Sequence, residues 1–151
     1  MALARWVSSV GFACLFFAAN AEGASSCTIV NVTPMGFGTY HAGSSFPVDS
    51  TGEIDVTCTS SQLVQISLGR GVSARQMPRQ MTSQGASLAY NLYLDAARTM
   101  VWGDGTEGTL TFNGYVTAGQ VLRLPIFGRV FALQSVPRGI YIDRIIAFVV
   151  F

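Results

Sequence analysis

The last twelve residues of the chain, 140–151, constrain its fold more than any other segment. Ten of the twelve are apolar, and only Asp143 and Arg144 interrupt them. The segment is too short to cross a membrane as a helix, which needs about 20 residues. As a strand it needs burial on both faces, or nearly so, because an exposed edge of this composition aggregates. It is therefore either a core strand flanked by others or, as we favour, a strand whose neighbour comes from another chain.

The composition excludes several classes of function. Half of the 151 residues are hydrophobic, 11% are charged, and the formal net charge is +1. A chain this hydrophobic can bury a core and is not disordered. A free nucleic-acid binder needs a surplus of cations against the phosphates, and this chain lacks one. The length fits a single domain, so we expect one core.

The first 21 residues have the pattern of a secretory signal peptide. A short basic end at Arg5 precedes an apolar run over 6–19, and small residues follow at Ala19 and Ala21. We expect cleavage between Ala21 and Glu22, with a second candidate site after Ala24 and an uncleaved anchor as the alternative. After cleavage the chain is exported, no stable transmembrane segment remains, and residues 22–151 form one domain.

Two cysteines remain after this cleavage, Cys27 and Cys58. In an exported chain such a pair predicts one disulfide in an oxidising compartment. In the chain-entropy model a bridge closing a loop of this length stabilises by about 3–4 kcal/mol. Without Arg5, eight arginines balance eight acids, so the mature domain is neutral.

Alternation of polar and apolar residues predicts strands through most of the mature chain. The predicted strands are 28–32, 53–58, 63–68, 88–94, 110–112 and 121–127. We interpret Asn113-Gly114 as the turn after the 110–112 strand. Pro125 cannot donate to a ladder, so it predicts an edge or a bulge. The spacing of glycine and proline between strands is typical of a single antiparallel β-sandwich.

No catalytic, cofactor or metal constellation is evident in the sequence. His41, the one histidine, lies in a Gly/Ser-rich loop without a metal or triad signature around it. Asp104-Gly105 with Glu107 lacks the alternating oxygen ligands of a calcium loop, so we interpret it as a tight turn. We therefore expect a protein that is not an enzyme, with no cofactor.

The remaining polar and aromatic candidates favour structural roles. Arg70, Arg75 and Arg79 fall within ten residues, and we interpret them as a solvated face rather than an anion site. Trp102 is either an exposed aromatic that stacks on a sugar or a core residue, and we favour the core.

Seven separated elements together resemble the spore coat U domain family. They are Cys27, Phe37-Gly38-x-Tyr40, Gly52-x-Ile54-x-Val56-x-Cys58, Leu88-x-Tyr90-x-Leu92-Tyr93-x-Asp95, Trp102-Gly103-Asp104-Gly105, Leu124-Pro125-Ile126-Phe127-Gly128-Arg129 and Gly139-x-Tyr141-x-Asp143. They occur in order over essentially the whole mature chain.

Members of that family are similar to subunits of archaic chaperone–usher pili of Gram-negative bacteria. The resemblance implies an incomplete immunoglobulin-like sandwich that lacks its last strand. A periplasmic chaperone would lend a strand to the groove, and a neighbouring pilus subunit would replace it at an outer-membrane usher, on the way from the periplasm to the cell surface. Strand addition supplies main-chain hydrogen bonds and pockets for alternate side chains.

The C-terminal segment provides the candidate groove residues. Alternation places two sets of side chains on opposite faces without deciding which set lines a groove. We assign one set to the groove and partner contact: Tyr141, Ile145, Ala147, Val149 and Phe151. The opposite set is Ile140, Ile142, Ile146, Phe148 and Val150.

The chain departs from the stalk subunits of such pili at its amino end. Those subunits carry a donor extension before the first cysteine, whereas only residues 22–26 separate the expected cleavage site from Cys27. We therefore expect an acceptor-only subunit at a pilus tip or start. Two alternatives remain: a monomeric surface adhesin that binds through loops 42–46 or 102–108, and an exported hydrolase with His41 as its base.

Overall fold

The computed structural model describes residues 24–151, in which every regular element is a β-strand. The expected signal peptide and its cleavage between Ala21 and Glu22 lie outside the described residues. The strands are β1 (Cys27–Thr33), β2 (Val48–Cys58), β3 (Gln62–Leu68), β4 (Arg79–Ser83), β5 (Ala86–Tyr93), β6 (Phe112–Val116), β7 (Val121–Val130) and β8 (Ala147–Val150). Within residues 24–151, no helix has both the length and the apolar character to cross a membrane.

The strands form two antiparallel sheets around one core. The larger sheet has the order β1-β2-β7-β5-β4 and the smaller has the order β6-β3-β8. Val56 and Val130 from the larger sheet share a buried cluster with Ile66 and Val116 from the smaller. The prediction of an all-β, incomplete immunoglobulin-like sandwich is confirmed.

The alternation that predicted the strands also identified the core face. Ile54, Val56 and Cys58 are at most 2% exposed, and each lies on the inner face of β2. Inward residues at every second position are what a half-buried strand requires. The sequence pattern therefore located the face of β2 that packs against the smaller sheet.

The prediction of a turn at Asn113-Gly114 is wrong, because both residues lie inside β6. Asn113 pairs with Gln65 and Gly114 with Val64 of β3. The ring of Phe112 lies over Gly114 so closely that an added Cβ would overlap it. The glycine thus provides room for a neighbouring aromatic ring, a role that strand glycines also serve.

Pro125 lies in the first half of β7, which has a neighbouring strand on one side only. β7 pairs with β2 along its length without a register shift, whereas β5 pairs only with Phe127 onward. Residues 121–126 therefore have a β-partner on one side, which is where a residue without an N–H is tolerated. Of the two structures that Pro125 predicted, the structure shows the sheet edge and not the bulge.

Strand β4 was not predicted from the sequence. It forms a hairpin with β5 through Gln84 and Gly85, which have φ angles of 47° and 87°. Two successive positive φ values are typical of the tight turns that match strand twist. The Gln84-Gly85 pair between two short strands was the available signal, and glutamine is not a residue usually associated with this turn.

The C-terminal segment, residues 140–151, is not the continuous strand buried on both faces that we expected. Only Ala147–Val150 is regular strand, and it lies at the edge of the smaller sheet beside β3. The opposite-face set remains exposed, with Phe148 at 51% and Ile140 at 81%. The alternative of a core strand flanked on both sides is therefore wrong within the described residues.

Candidate functional site: an open groove between the two sheets

Two sheet edges approach each other and leave a gap. Among residues 24–151, β1 pairs only with β2 and β8 pairs only with β3. The two strands lie near each other although they belong to different sheets. Each therefore presents free backbone N–H and C=O groups toward the gap, as an edge strand does.

The gap opens into an apolar cleft of about 490 Å³. Its floor is made of buried aliphatic side chains from both sheets: Ile54, Leu68, Leu92 and Ile126. One wall includes Ile29 and Val32 of β1, and the facing wall comes from residues 141–147. Because the two sheets do not close over this floor, an apolar cleft opens between them at this side of the core.

Two side chains between β1 and β2 fill a hollow in the inner face of the larger sheet. Met35 and Phe37 lie against Gly128 so closely that an added Cβ would overlap both. The Phe37 ring also meets Tyr90 edge to face, with 5.9 Å between the ring centroids. Met35 and Phe37 thus occupy the space of missing side chains and form part of the cleft surface.

A second hollow of about 820 Å³ continues from the cleft. The two share Met35, Phe37, Met81 and Tyr141, so they form one extended groove. His41 lines this second part and is itself exposed. In the part of the chain that the structure describes, no group of three or more His, Cys, Asp or Glu side chains is placed to hold a metal ion.

The predicted groove residues occupy different places. Tyr141, Ile145 and Ala147 line the cleft. Val149 pairs with Ile66 of β3 and packs against the core rather than lining the cleft. Phe151 follows the end of β8 and is 53% exposed. The structure therefore brings three of the five together at the groove.

Other groove residues were missed by the sequence reasoning. Ile142 and Asp143 line the cleft, although alternation put Ile142 on the opposite face and treated Asp143 as an interruption. Met35 and Phe37 were not assigned to the groove, although Phe37 belongs to one of the elements that carry the family resemblance. Alternation identifies faces within one strand and gives no information about a loop that folds back over a sheet.

The disulfide prediction is confirmed. Cys27 and Cys58 are bonded and occupy paired positions in the β1–β2 ladder. The bond fixes one end of β1 to the neighbouring strand. One edge of the groove is therefore held covalently as well as by hydrogen bonds.

The interpretation of the arginine cluster as a solvated face is wrong for Arg79. Its side chain is fully buried, and its guanidinium donates to the carbonyls of Leu68, Gly69 and Trp102. Burial lowers the pKa of this guanidinium below its usual value, opposed by nearby Tyr90 and Asp143. Sequence spacing could not show this, because the packing of the strands brings the end of β3 and Trp102, which lies 23 residues after Arg79, to the same guanidinium.

Trp102 belongs to the core, as we favoured. It is fully buried, and its indole N–H donates to the Ile66 carbonyl at 2.9 Å. The sugar-stacking alternative is therefore wrong.

The acidic turn after Trp102 contacts an arginine. The Oδ2 of Asp104 lies 3.5 Å from the Nε of Arg70, and Glu107 also forms an ion pair with Arg70. These two carboxylates are thus partly neutralised by one arginine.

Three comparisons relate this chain to known proteins. A model of the family described as Spore Coat Protein U domain matches residues 13–147. Protein U of Myxococcus xanthus is 33% identical over 130 residues, an alignment that covers 78% of this chain and 71% of that protein.

A solved structure has a similar fold. It is the CsuC–CsuE chaperone–tip adhesion subunit pre-assembly complex from archaic chaperone–usher Csu pili of Acinetobacter baumannii. One of its chains superposes with a TM-score of 0.58 at 22% identity. The match covers 84% of this chain and only 40% of that one.

Proposed function

The chain belongs to the Spore Coat Protein U domain family, and on that premise we propose that it is a secreted structural subunit of a chaperone–usher pilus. In this proposal residues 1–21 are removed on export, and residues 22–151 fold in the periplasm and reach the cell surface. The partners are a periplasmic pilus chaperone, an outer-membrane usher and other pilus subunits. The protein is not an enzyme and takes no cofactor.

The observation that carries this proposal is the open groove between β1 and β8. A strand inserted there meets two edges whose backbone groups are free within residues 24–151. Its alternate side chains would enter a cleft with an aliphatic floor. Main-chain pairing with alternate side-chain pockets is the physical basis of strand addition.

The groove predicts that filling it from within abolishes partner binding. Ala147 lines the cleft at the first position of β8. We expect Ala147→Phe to fold with its disulfide intact and to lose capture by a co-expressed pilus chaperone, because the phenyl ring occupies the space of a donor side chain. Co-purification from the periplasm of a Gram-negative host, with the chaperone gene sought beside this chain's own gene, measures the result.

Ala118→Phe is the matched control, since Ala118 is exposed beyond β6. It makes the same chemical change away from the groove and should leave capture unchanged. Equal capture of both variants contradicts the groove as the binding site. A well-folded, soluble monomer made without any chaperone supports the alternative of a monomeric surface domain.

The finer proposal is an acceptor-only subunit at a pilus tip or start. It rests on the expected cleavage after Ala21, which leaves five residues before Cys27. Sequencing the amino end of the exported protein tests that premise. A peptide of residues 22–33 that fills the groove of another subunit would show a donor role and overturn this assignment.

A further inference from the structure

The part of the groove wall that precedes β8, residues 141–146, is held without a continuous strand ladder. Ile142 exchanges two backbone hydrogen bonds with Thr82 of β4, at 3.0 and 3.1 Å. Four residues later, the Ile146 carbonyl accepts from the Gly69 N–H at 2.8 Å, next to β3. The wall therefore crosses from the larger sheet to the smaller one. Between these two points the wall has no strand ladder, so side-chain contacts have to fix its position.

Asp143 lies at this crossing, and its carboxylate joins three parts of the chain. Its Oδ2 accepts from the Tyr90 hydroxyl of β5 at 2.7 Å. Its Oδ1 accepts from the backbone N–H of Val72 at 2.8 Å and of Arg144 at 2.7 Å. The β3–β4 loop also covers the carboxylate at Gly71, where an added Cβ would overlap it.

The environment of Tyr90 keeps its hydroxyl group protonated, so that it can donate a hydrogen bond to Asp143. Its side chain is 3% exposed and lines the cleft. Burial raises the pKa of its phenol far above the usual value, and the hydrogen bond to Asp143 raises it further. The hydroxyl therefore keeps its proton near neutral pH and donates to the carboxylate.

We propose that Asp143 is a positioning residue for the groove. By holding the wall against Tyr90 and Val72, it keeps the cleft at the width that an incoming strand requires. This inference rests on the proposed function, because strand acceptance by the cleft is itself a proposal. Asp143 acts through the geometry of its hydrogen bonds and not through its negative charge, which lies near Arg79.

Three variants separate geometry from charge. Asp143→Ala removes every side-chain contact of the carboxylate, and Tyr90→Phe removes one of them. Asp143→Asn removes the charge, but its carbonyl oxygen can accept from Val72 and its NH₂ can donate to the Tyr90 oxygen. Val116→Ala is the stability control, because Val116 is buried in β6, on the other side of β3 from β8.

Hydrogen exchange of the full exported chain tests the position of the wall. Asp143→Ala should speed exchange of the Ile142 and Gly69 amides at least tenfold relative to distant amides of β2. Asp143→Asn should speed exchange of the same two amides less than threefold. Val116→Ala should show no such selectivity. Unchanged protection of both amides in Asp143→Ala overturns the inference.

Peptide binding tests the consequence for strand acceptance. The probe is a fluorescein-labelled 13-residue peptide in which valine alternates with threonine, with a lysine at each end. We expect binding at least tenfold weaker for Asp143→Ala, intermediate for Tyr90→Phe, and within threefold of wild type for Asp143→Asn. Binding by Asp143→Asn as weak as by Asp143→Ala assigns the effect to charge and overturns the inference. If wild type binds no peptide, the proposed function loses support, while hydrogen exchange still decides the position of the wall.

Discussion

At the scale of single residues, one buried guanidinium joins the two sheets. Arg79 begins β4 of the larger sheet, and its Nη2 donates to Leu68 of β3 in the smaller sheet at 3.2 Å. The same nitrogen donates to Gly69 and Trp102, each at 2.9 Å. A buried cation is costly unless its donors are satisfied, and these carbonyls satisfy most of them. The side chain therefore specifies how the ends of β3 and β4 meet.

Replacing Arg79 with lysine tests this role. A single ammonium cannot reproduce the planar fork that reaches three carbonyls. We expect Arg79→Lys to lower the free energy of unfolding by about 2 kcal/mol, since buried carbonyls lose their donors. Urea denaturation followed by tryptophan fluorescence measures the change.

Arg123→Lys provides the matched control for this substitution. Arg123 is exposed on β7, and surface substitutions usually change stability by less than about 0.5 kcal/mol. Equal stabilities of the two lysine variants would contradict the bonding role of Arg79.

At the scale of elements, the smaller sheet differs from the larger in charge. Its three strands, β3, β6 and β8, lie wholly in the described part of the chain and contain no charged residue. Several of their outward side chains are apolar and exposed, including Leu63 at 72% and Tyr115 at 59%. β8 is an edge strand of this uncharged sheet, and an open edge without charges favours association with another strand.

A charge on β8 should therefore suppress self-association. Phe148 is an outward residue of this strand, so we expect Phe148→Lys to slow aggregation of the purified chain several-fold. The free energy of unfolding should change by less than about 0.5 kcal/mol, as is usual at exposed positions. Static light scattering over time measures the aggregation.

Phe46→Lys is the control for this prediction, because Phe46 lies in a loop and is 75% exposed. It adds the same charge away from the open edge. If both variants slow aggregation equally, net charge rather than the β8 edge is responsible.

Local patterns predicted most strands, and non-local contacts account for the failures. Period-two alternation predicted β1, β2, β3, β5 and β7, whose inner faces pack on one core. The Asn113-Gly114 dipeptide was misread as a turn, because Gly114 lies inside β6, where the Phe112 ring leaves no room for a Cβ. Alternation failed over residues 140–146, because Asp143 binds Tyr90 of β5 and Val72 of the β3–β4 loop. Those partners are distant in sequence, so a local pattern contains no information about them.

At the scale of the whole molecule, the pH dependence of stability should have two limbs. The pKa of Asp49 is held below its usual value, mainly by hydrogen bonds from Arg129. Its contribution is present above the unfolded pKa of about 4 and is lost as pH falls through the lower folded value. The pKa of Tyr90 is raised, mainly by burial. Ionisation of tyrosine above about pH 10 therefore favours the unfolded chain, and stability falls there as pH rises.

Denaturant midpoints measured from pH 2.5 to 11 test both limbs. We expect a plateau between about pH 5 and 9, with Asp49→Asn reducing the acid limb and Tyr90→Phe reducing the alkaline limb. An acid limb of the same depth in Asp49→Asn and wild type would exclude Asp49 as a contributor.

The groove itself was only partly predictable. The apolar composition of residues 140–151 indicated a missing neighbour, and the resemblance indicated where that neighbour belongs. The cleft floor, however, requires side chains from four strands, and its surface also needs the fold-back of Met35 and Phe37 onto Gly128. Such a surface exists only once both sheets are packed.

The disulfide also has a mechanical consequence. Tension applied at the amino end of the folded domain passes from Cys27 through the sulfur bridge to Cys58. The residues between the two cysteines form a closed covalent loop and carry no load. Pulling from that end therefore cannot peel β1 away from β2, and extension of the domain starts beyond Cys58.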